Sequence, residues 1–364
     1  MKVDALVAEI GSTTTIVNAF NGILEGEPEF LEQGQSKTTV EDGDVVEGLK
    51  NAILDLKRKL GADSLEYNEM LSTSSAAGGL RMSVHGLVYD ITVKAAREAA
   101  LGAGANLKMI TSGKMRKADI NKLKEIRPNI ILIAGGVDYG ERDTAIYNAK
   151  LISDLELGIP VIYAGNIENK EEIKEIFNEK SNAQMLYLTE NVYPRIDELN
   201  VEPTRKIIQS VFEEHIVHAP GMEKIKSMVD SKIIPTPGAV MEASKILKAE
   251  IGDLLAIDVG GATTDIHSVT CGSDDVNRIL LSPEPEAKRT VEGDMGVFVN
   301  MENILGMIGE KGLKESFGSN IEKLISNYSF LPRSKDEIDL VEIMTEKAIS
   351  VALDRHSGNY RDVY

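Results

Sequence analysis

The chain has 364 residues, 42% of them apolar and 5% aromatic, without tryptophan, and a formal net charge of −18. That length exceeds what one hydrophobic core usually organises, so two or three lobes are expected. So acidic a chain excludes a nucleic-acid binder, which needs a clustered basic face. The single cysteine, Cys271, excludes an intramolecular disulfide, a thiolate zinc cluster and a ligated iron–sulfur cluster.

Asp4 and Glu9 interrupt the first apolar stretch, unlike a secretory signal, and no run reaches the roughly 18 apolar residues of a membrane span. A cytoplasmic protein with no membrane partner is expected. "DALVAEI" (4–10) reads as a buried strand, turned by Gly11 and Ser12, and "TTIVNAF" (14–20) returns beside it. In 42–61, Val45, Val46, Leu49, Ile53, Leu56 and Leu60 share one helical face, and Gly61 closes the helix. "STSSAAGGL" (72–80) is small and polar and reads as a loop. Strands are then predicted at 107–111, 129–136, 159–166 and 183–189, with helices at 91–103, 117–126, 142–155 and 169–178. That alternation is the rhythm of a parallel, doubly wound α/β unit. It marks 71–200 as an inserted domain, expected to face a partner and to be removable without unfolding the rest.

"HIVH" places His215 and His218 three residues apart, a helix-surface pair rather than a metal site for want of a third ligand. "IIPTPGAV" (233–240) is a boundary, and "AVMEASKILKAE" continues from it as a helix. "DLLAIDV" (253–259) is a strand, Gly260 and Gly261 turn it, and "TTDIHSV" (263–269) returns, with His267 packed. The remainder, 297–355, is mostly helical.

One phrase is therefore written twice: strand, acid, glycine–hydroxyl turn, strand. Glycine in a tight turn exposes successive backbone N–H groups, and a concave run of amides binds anions. Ser and Thr add hydroxyl donors, and an acid beside the turn can hold Mg²⁺ through water. Two such hairpins facing each other would grip a polyphosphate from both sides.

The two hairpins resemble the first and second phosphate motifs of the actin, sugar-kinase and heat-shock-chaperone ATPase superfamily. "PGAVMEASKIL" (237–247) is similar to the helix before the second motif there, with Pro237, Ala239 and Ala243 at matching positions. "LVAEIGSTTT", "SSAAGGLRMSVHGL" (74–87), "NIILIAGG" (129–136), "VIYAGN" (161–166) and "DVGGATTDIHSV" (258–269) together resemble the GlmL/MutL accessory proteins of glutamate mutase, over most of the chain. The resemblance implies an α/β fold with actin-like, ribonuclease H-like ATPase lobes at 1–70 and 201–364 around the insert at 71–200. It implies an ATP-dependent reactivating chaperone for an adenosylcobalamin-dependent mutase such as glutamate mutase, driving exchange of damaged cobalamin. ATP and Mg²⁺ would be its cofactors, nucleotide and mutase its partners. Glu9 and Asp258 would be the catalytic and metal-holding acids, Glu9 standing where the superfamily has Asp. Gly11, Ser12, Thr13 and Thr14 would form one cradle and Gly260, Gly261, Thr263 and Thr264 the other, with Ala262 in place of a third glycine. Gly293 and Asp294 of "EGDMG" (292–296) would lie near the nucleotide.

A small-molecule kinase of the same superfamily is the alternative, though no acceptor-binding signature is present; an actin-like structural protein is another. The superfamily also has a third motif after the second hairpin, an apolar strand closing in Gly-Gly against adenosine. No Gly-Gly pair follows Gly261, and "LIAGGVD" (132–138) comes too early, inside the insert. The expectation is a truncated chain with weak ATP binding. Its last helix would then expose an apolar face of Ile338, Val341, Met344, Ala348 and Val351.

Overall fold

Alternating burial along "KVDALVAEI" and "TTIVNAFN" makes two strands, β1 (Lys2–Ile10) and β2 (Thr14–Asn21), which pair antiparallel from Ala5↔Phe20 to Ile10↔Thr15. In a computed structural model these open a mixed α/β architecture of three sheets. The structure describes residues 1–358 apart from 24, 41, 77–78, 181, 216–221, 223, 226–227, 231–232 and 282. β3 (Glu29–Lys37) extends the hairpin, and α1 (Val45–Lys59) lays Val45, Leu49, Ala52 and Leu56 on it. Asp44 caps α1, accepting from the Val46 N–H at 3.0 Å. β4 (Glu66–Ser74) then runs parallel to β1, from Lys2↔Glu66 to Ile10↔Ser74.

The middle sheet carries the predicted rhythm. β5 (Leu80–Gly86) leads through one π-turn (Tyr89–Val93) into α2 (Lys94–Gly102). There follow β6 (Ala105–Ser112), α3 (Lys117–Ile126), β7 (Ile130–Ile133) and α4 (Asp143–Ser153). β8 (Val161–Tyr163), α5 (Lys170–Glu179), β9 (Leu186–Leu188) and α6 (Glu202–His215) complete it. All five strands are parallel, in the order β6-β5-β7-β8-β9. β5, which carries the polar residues Ser83 and His85, lies between β6 and β7 and is not among the predicted strands. The polarity is matched internally: His85 is fully buried, with Nδ1 2.8 Å from Thr111 Oγ1 and Nε2 3.0 Å from Ser83 Oγ. Burial lowers its pKa to about 4, so the ring is neutral.

β10 (Ile233–Pro235) returns to the first sheet, parallel to β4, giving β10-β4-β1-β2-β3. The third sheet is β11-β12-β13, from β11 (Leu254–Val259), β12 (Thr264–Val269) and β13 (Ala287–Glu292), with α7 (Thr236–Ile251) before it and the short α8 (Asp274–Asn277) within it. α9 (Met301–Phe317), α10 (Ile321–Ser326) and α11 (Lys335–Ser357) follow.

One expectation is corrected here. The apolar face of the last helix is not exposed: Met344 and Ala348, with Leu340, are fully buried against Ile304, Leu305 and Leu313 of α9. Only Ile338, 43% accessible, stays out. The helix lies on the third sheet, pinned by His356 through Nε2 to Ser268 Oγ at 2.9 Å and Nδ1 to Thr290 Oγ1 at 2.8 Å. The middle sheet is also bonded to its neighbours. Arg289 of β13 reaches into the middle sheet, donating from Nη1 to the carbonyls of Leu101 (3.0 Å) and Ala105 (2.9 Å). Arg205 of α6 reaches the other way, to the carbonyls of Glu98 and Ala287. His218 lies outside the described residues, as does the side chain of His215, and His267 is buried as expected. No helix among the described residues is long and apolar enough to cross a membrane.

Arg289 is itself buried, with Nε 2.8 Å from Asp265 Oδ1. Its replacement leaves Asp265 charged and unpaired in a low-dielectric site. Arg289→Met is expected to lower unfolding free energy by about 3–5 kcal/mol in urea titration; an unchanged midpoint would show that the sheets do not depend on this junction.

Candidate functional site

The two repeated phrases fold alike. Four residues, Gly11–Thr14, join the last strand pair Ile10↔Thr15 of the first hairpin, and four, Gly260–Thr263, join Val259↔Thr264 of the second. Each turn is closed by the same hydrogen bond, Gly11 N–H to Thr14 O at 3.0 Å and Gly260 N–H to Thr263 O at 2.8 Å. Each acid sits one residue before its strand ends: Glu9 opposite Ile16, Asp258 opposite Asp265.

The turns line one cleft of about 370 Å³ from two sides. They approach so closely that a Cβ on Gly261 would stand 2.6 Å from Thr13 Oγ1. Glycine is required there by contact, not by backbone angle.

The second turn is braced from behind. The Gly260 carbonyl accepts from Val297 N–H at 3.2 Å, and that of Gly261 from Phe298 (2.9 Å) and Val299 (2.7 Å). The Ala262 carbonyl accepts from Asn300 Nδ2 at 2.9 Å. In a trans peptide the next N–H points opposite to the carbonyl. The amides of Gly261, Ala262 and Thr263 are thereby turned toward the cleft. In the first turn Thr38 plays the bracing part, its Oγ1 donating to Gly11 O at 2.9 Å and its N–H to Thr13 O at 3.0 Å.

The charges in the cleft are unequal. Asp265 is neutralised by Arg289, and it accepts from Thr263 Oγ1 at 3.0 Å, which orients that hydroxyl. Glu9 and Asp258 line the same cleft and repel each other. Burial first, and the Asp258 charge second, push the Glu9 carboxyl up to about 7. Burial, then Asp265, also raises Asp258, with Arg289 opposing. A divalent cation or its hydration shell would relieve this repulsion. Among the described residues no group of three His, Cys, Asp or Glu side chains could hold a metal ion. Any ion here would take most of its ligands from water and substrate, as Mg²⁺ does. The donor set and the glycine-opened space therefore fit a Mg²⁺–polyphosphate.

Of the sequence-predicted residues, Glu9, Gly11, Ser12, Thr13, Thr14, Asp258, Gly260, Gly261 and Thr263 line the cleft. Thr264 does not: it is fully buried on the opposite side, donating to Met295 O at 2.7 Å. Gly293 and Asp294 also lie behind the turn, where Arg355 of α11 holds the Asp294 carboxylate at 2.8 and 3.1 Å. Their part is to fix the loop that braces Gly260–Ala262. Asp265, which ends the second motif in the sequence and could equally be a strand-edge acid, also lines the cleft, whereas sequence reasoning missed Gln35, Ser75, Thr236 and Leu331. The Pro-Thr-Pro at 235–237 was the one available signal for Thr236. A larger cavity of about 510 Å³, between α6, α7 and β13, is lined by Arg205, Lys245 and Lys248 with Glu202 and Glu286. Those charges are spent on one another, Lys245 with Glu202 at 3.0 Å and Arg205 with Glu202 at 2.6 Å.

A family model described as MutL protein matches residues 5–364. Protein MutL of Clostridium tetanomorphum is 34% identical over 375 aligned residues, which span 99% of this chain and 80% of that protein.

The buried Glu9 charge carries its own pH signature. A carboxyl whose folded pKa is raised from 4.5 to about 7 weakens the folded state as pH climbs through that interval. Glu9→Gln is expected to match wild type in stability below pH 4.5 and to exceed it by about 1–3 kcal/mol at pH 8. Parallel unfolding curves at the two pH values decide this, and a constant difference would contradict it.

Proposed function

Since this chain belongs to the MutL protein family, we propose that it is an ATP-dependent reactivating factor for an adenosylcobalamin-dependent mutase such as glutamate mutase. It hydrolyses ATP in the two-turn cleft and uses the cycle to help exchange damaged cobalamin. The observation that carries the reading is the pair of four-residue turns with the same internal hydrogen bond, set against each other with an acid beside each. The two ATPase lobes are then actin-like, one built on β1–β4 and β10, the other on β11–β13.

Bound Mg²⁺-ATP would supply a phosphoanhydride and the positive charge that the two carboxylates lack. The protein's share is positioning and electrostatics, which is most of what phosphoryl transfer asks of an enzyme. Amides of residues 261–263 and the hydroxyls of Ser12 and Thr13 would donate to phosphate oxygens, whereas Thr263 Oγ1 gives its proton to Asp265 and can only accept, as from a metal-bound water. Asp258 orients water at the phosphate, and Glu9 shares the neutralising charge from the opposite lobe. Asp265 keeps Thr263 aimed. Because Asp265 is bonded to Arg289, and Arg289 to the end of α2, displacement of the second turn is passed to the middle sheet.

The middle sheet is proposed as the part that meets the mutase. Large side chains stand exposed beyond the carboxyl ends of its neighbouring strands β5 and β7, Tyr89 at 54% and Tyr139 at 78% accessible. Tyr139 also holds a left-handed backbone (φ 64°), an arrangement kept at a cost by a non-glycine residue. Its N–H is tied to Asn166 Oδ1 at 3.1 Å.

Two measurements test these statements. Asp258→Asn should keep the fold, by circular dichroism, and lose about 100-fold or more of ATP turnover measured with glutamate mutase present; near-wild-type hydrolysis refutes the assignment. The double variant Tyr89→Ser, Tyr139→Ser should hydrolyse ATP alone at the wild-type rate yet bind immobilised mutase about tenfold more weakly. Unchanged mutase affinity would move the contact elsewhere.

A further inference from the structure

One residue of the cleft lining comes from neither hairpin. Leu331 lies 68 residues beyond Thr263, on the irregular connector 327–334 between α10 and α11, and stands in the cleft among hydroxyls, glycines and carboxylates. The connector is tied at its ends, Tyr328 N–H to Ile325 O at 3.2 Å and Arg333 N–H to Glu337 Oε2 at 2.9 Å. Between them Leu331 N–H donates to Ser329 Oγ at 3.3 Å, a bond local to the connector.

Its two aromatic residues are set directly behind the second turn. Phe298, whose N–H donates to Gly261 O at 2.9 Å, has its ring centroid 6.0 Å from that of Tyr328 and 6.4 Å from that of Phe330. A Cβ on Gly261 would also stand 3.4 Å from Phe298 Cβ. Tyr328 belongs to the helical core formed with Leu340 and Met344, so one face of the connector is anchored in that core while Leu331 reaches over the phosphate turns.

We propose that residues 328–333 form an apolar strap that holds the cleft closed and swings out when a polyphosphate enters. The inference rests on the phosphate reading of the cleft and adds a gate to it. An isobutyl group against phosphate oxygens strips their water and returns no hydrogen bond, so the two do not share the space favourably. Expelling Leu331 by a backbone shift of the connector would move its neighbour Phe330 against Phe298. Cleft occupancy is thereby read by the connector that leads into α11, the helix whose Arg355 holds Asp294 in the loop bracing the same turn.

The protein contains no tryptophan, so Phe330→Trp introduces a single fluorescent reporter. The full chain carrying it would be titrated with Mg²⁺ and inorganic tripolyphosphate, with calorimetry on the same samples, on wild type and on Leu331→Ala. The strap requires a red-shifted, more acrylamide-accessible tryptophan that saturates with the binding heat, and about three- to tenfold tighter tripolyphosphate binding by Leu331→Ala. Heat with a silent tryptophan, or a Leu331→Ala affinity within twofold of wild type, overturns the strap alone and leaves the phosphate cleft standing. Binding that emerges only in Leu331→Ala supports the strap in its strongest form. No heat from either protein overturns the phosphate reading and the strap together. Matching unfolding curves for the three proteins would show that the comparison is between folded molecules.

Discussion

The end of α2 is where the three sheets meet, and the rest of the structure depends on how its carbonyls are satisfied. A helix terminus leaves its last carbonyls without partners and partly negative. Here arginines from elsewhere in the chain reach them: Arg205 to Glu98 O, and Arg289 to Leu101 O, which also accepts from Gly104 N–H, and on to Ala105 O at the start of β6. The same segment is "LGAGA", and its small residues allow the approach. Gly102 leaves the space that the Arg205 guanidinium fills, and Gly104, at φ 96°, packs against Pro235 and Gly238 where the first sheet hands over to α7. A Cβ at Gly104 would stand 2.8 Å from both the Pro235 Cβ and the Gly238 nitrogen. Each buried guanidinium is costly to desolvate, and each is retained with several acceptors around it. Asp265 is one of them, so the architectural junction and the functional cleft share a side chain.

Within this frame the duplicated hairpins are alike in backbone and unlike in charge. Opposite Glu9 stands Ile16, whereas opposite Asp258 stands Asp265 with its arginine. The second turn therefore sits in a fixed ion pair connected to the middle sheet, and the first sits against an aliphatic wall. Their neighbours differ too. β1 is flanked by β4, but the outer edge of β11 carries no strand among the described residues, and Leu255, 54% accessible, stands beside it. The two acids thus stand in different surroundings: burial and the Asp258 charge raise Glu9 to about 7, while Asp258 has the Asp265–Arg289 pair beside it.

Much of this was legible in the chain itself. The paired phrases at 7–15 and 256–266 determined two hairpins, two acids and nine of the residues that line the cleft, because turn chemistry is local: glycine, hydroxyls and flanking apolar strands act over a few residues wherever they occur. The alternating apolar runs between 107 and 189 likewise determined a parallel middle sheet. Tertiary structure decided what local chemistry could not. That 80–86 forms an interior strand of the middle sheet turned on Ser83 and Thr111 reaching His85, since only partners make a polar strand buriable. Thr263 and Thr264 are adjacent and chemically the same, yet one faces the cleft and the other Met295, because successive strand residues point to opposite sides. Asp294 went to Arg355 and Leu331 to the cleft through contacts spanning 61 and 68 residues, and no periodicity in a sequence records which distant surfaces will be pressed together when its sheets close on one another.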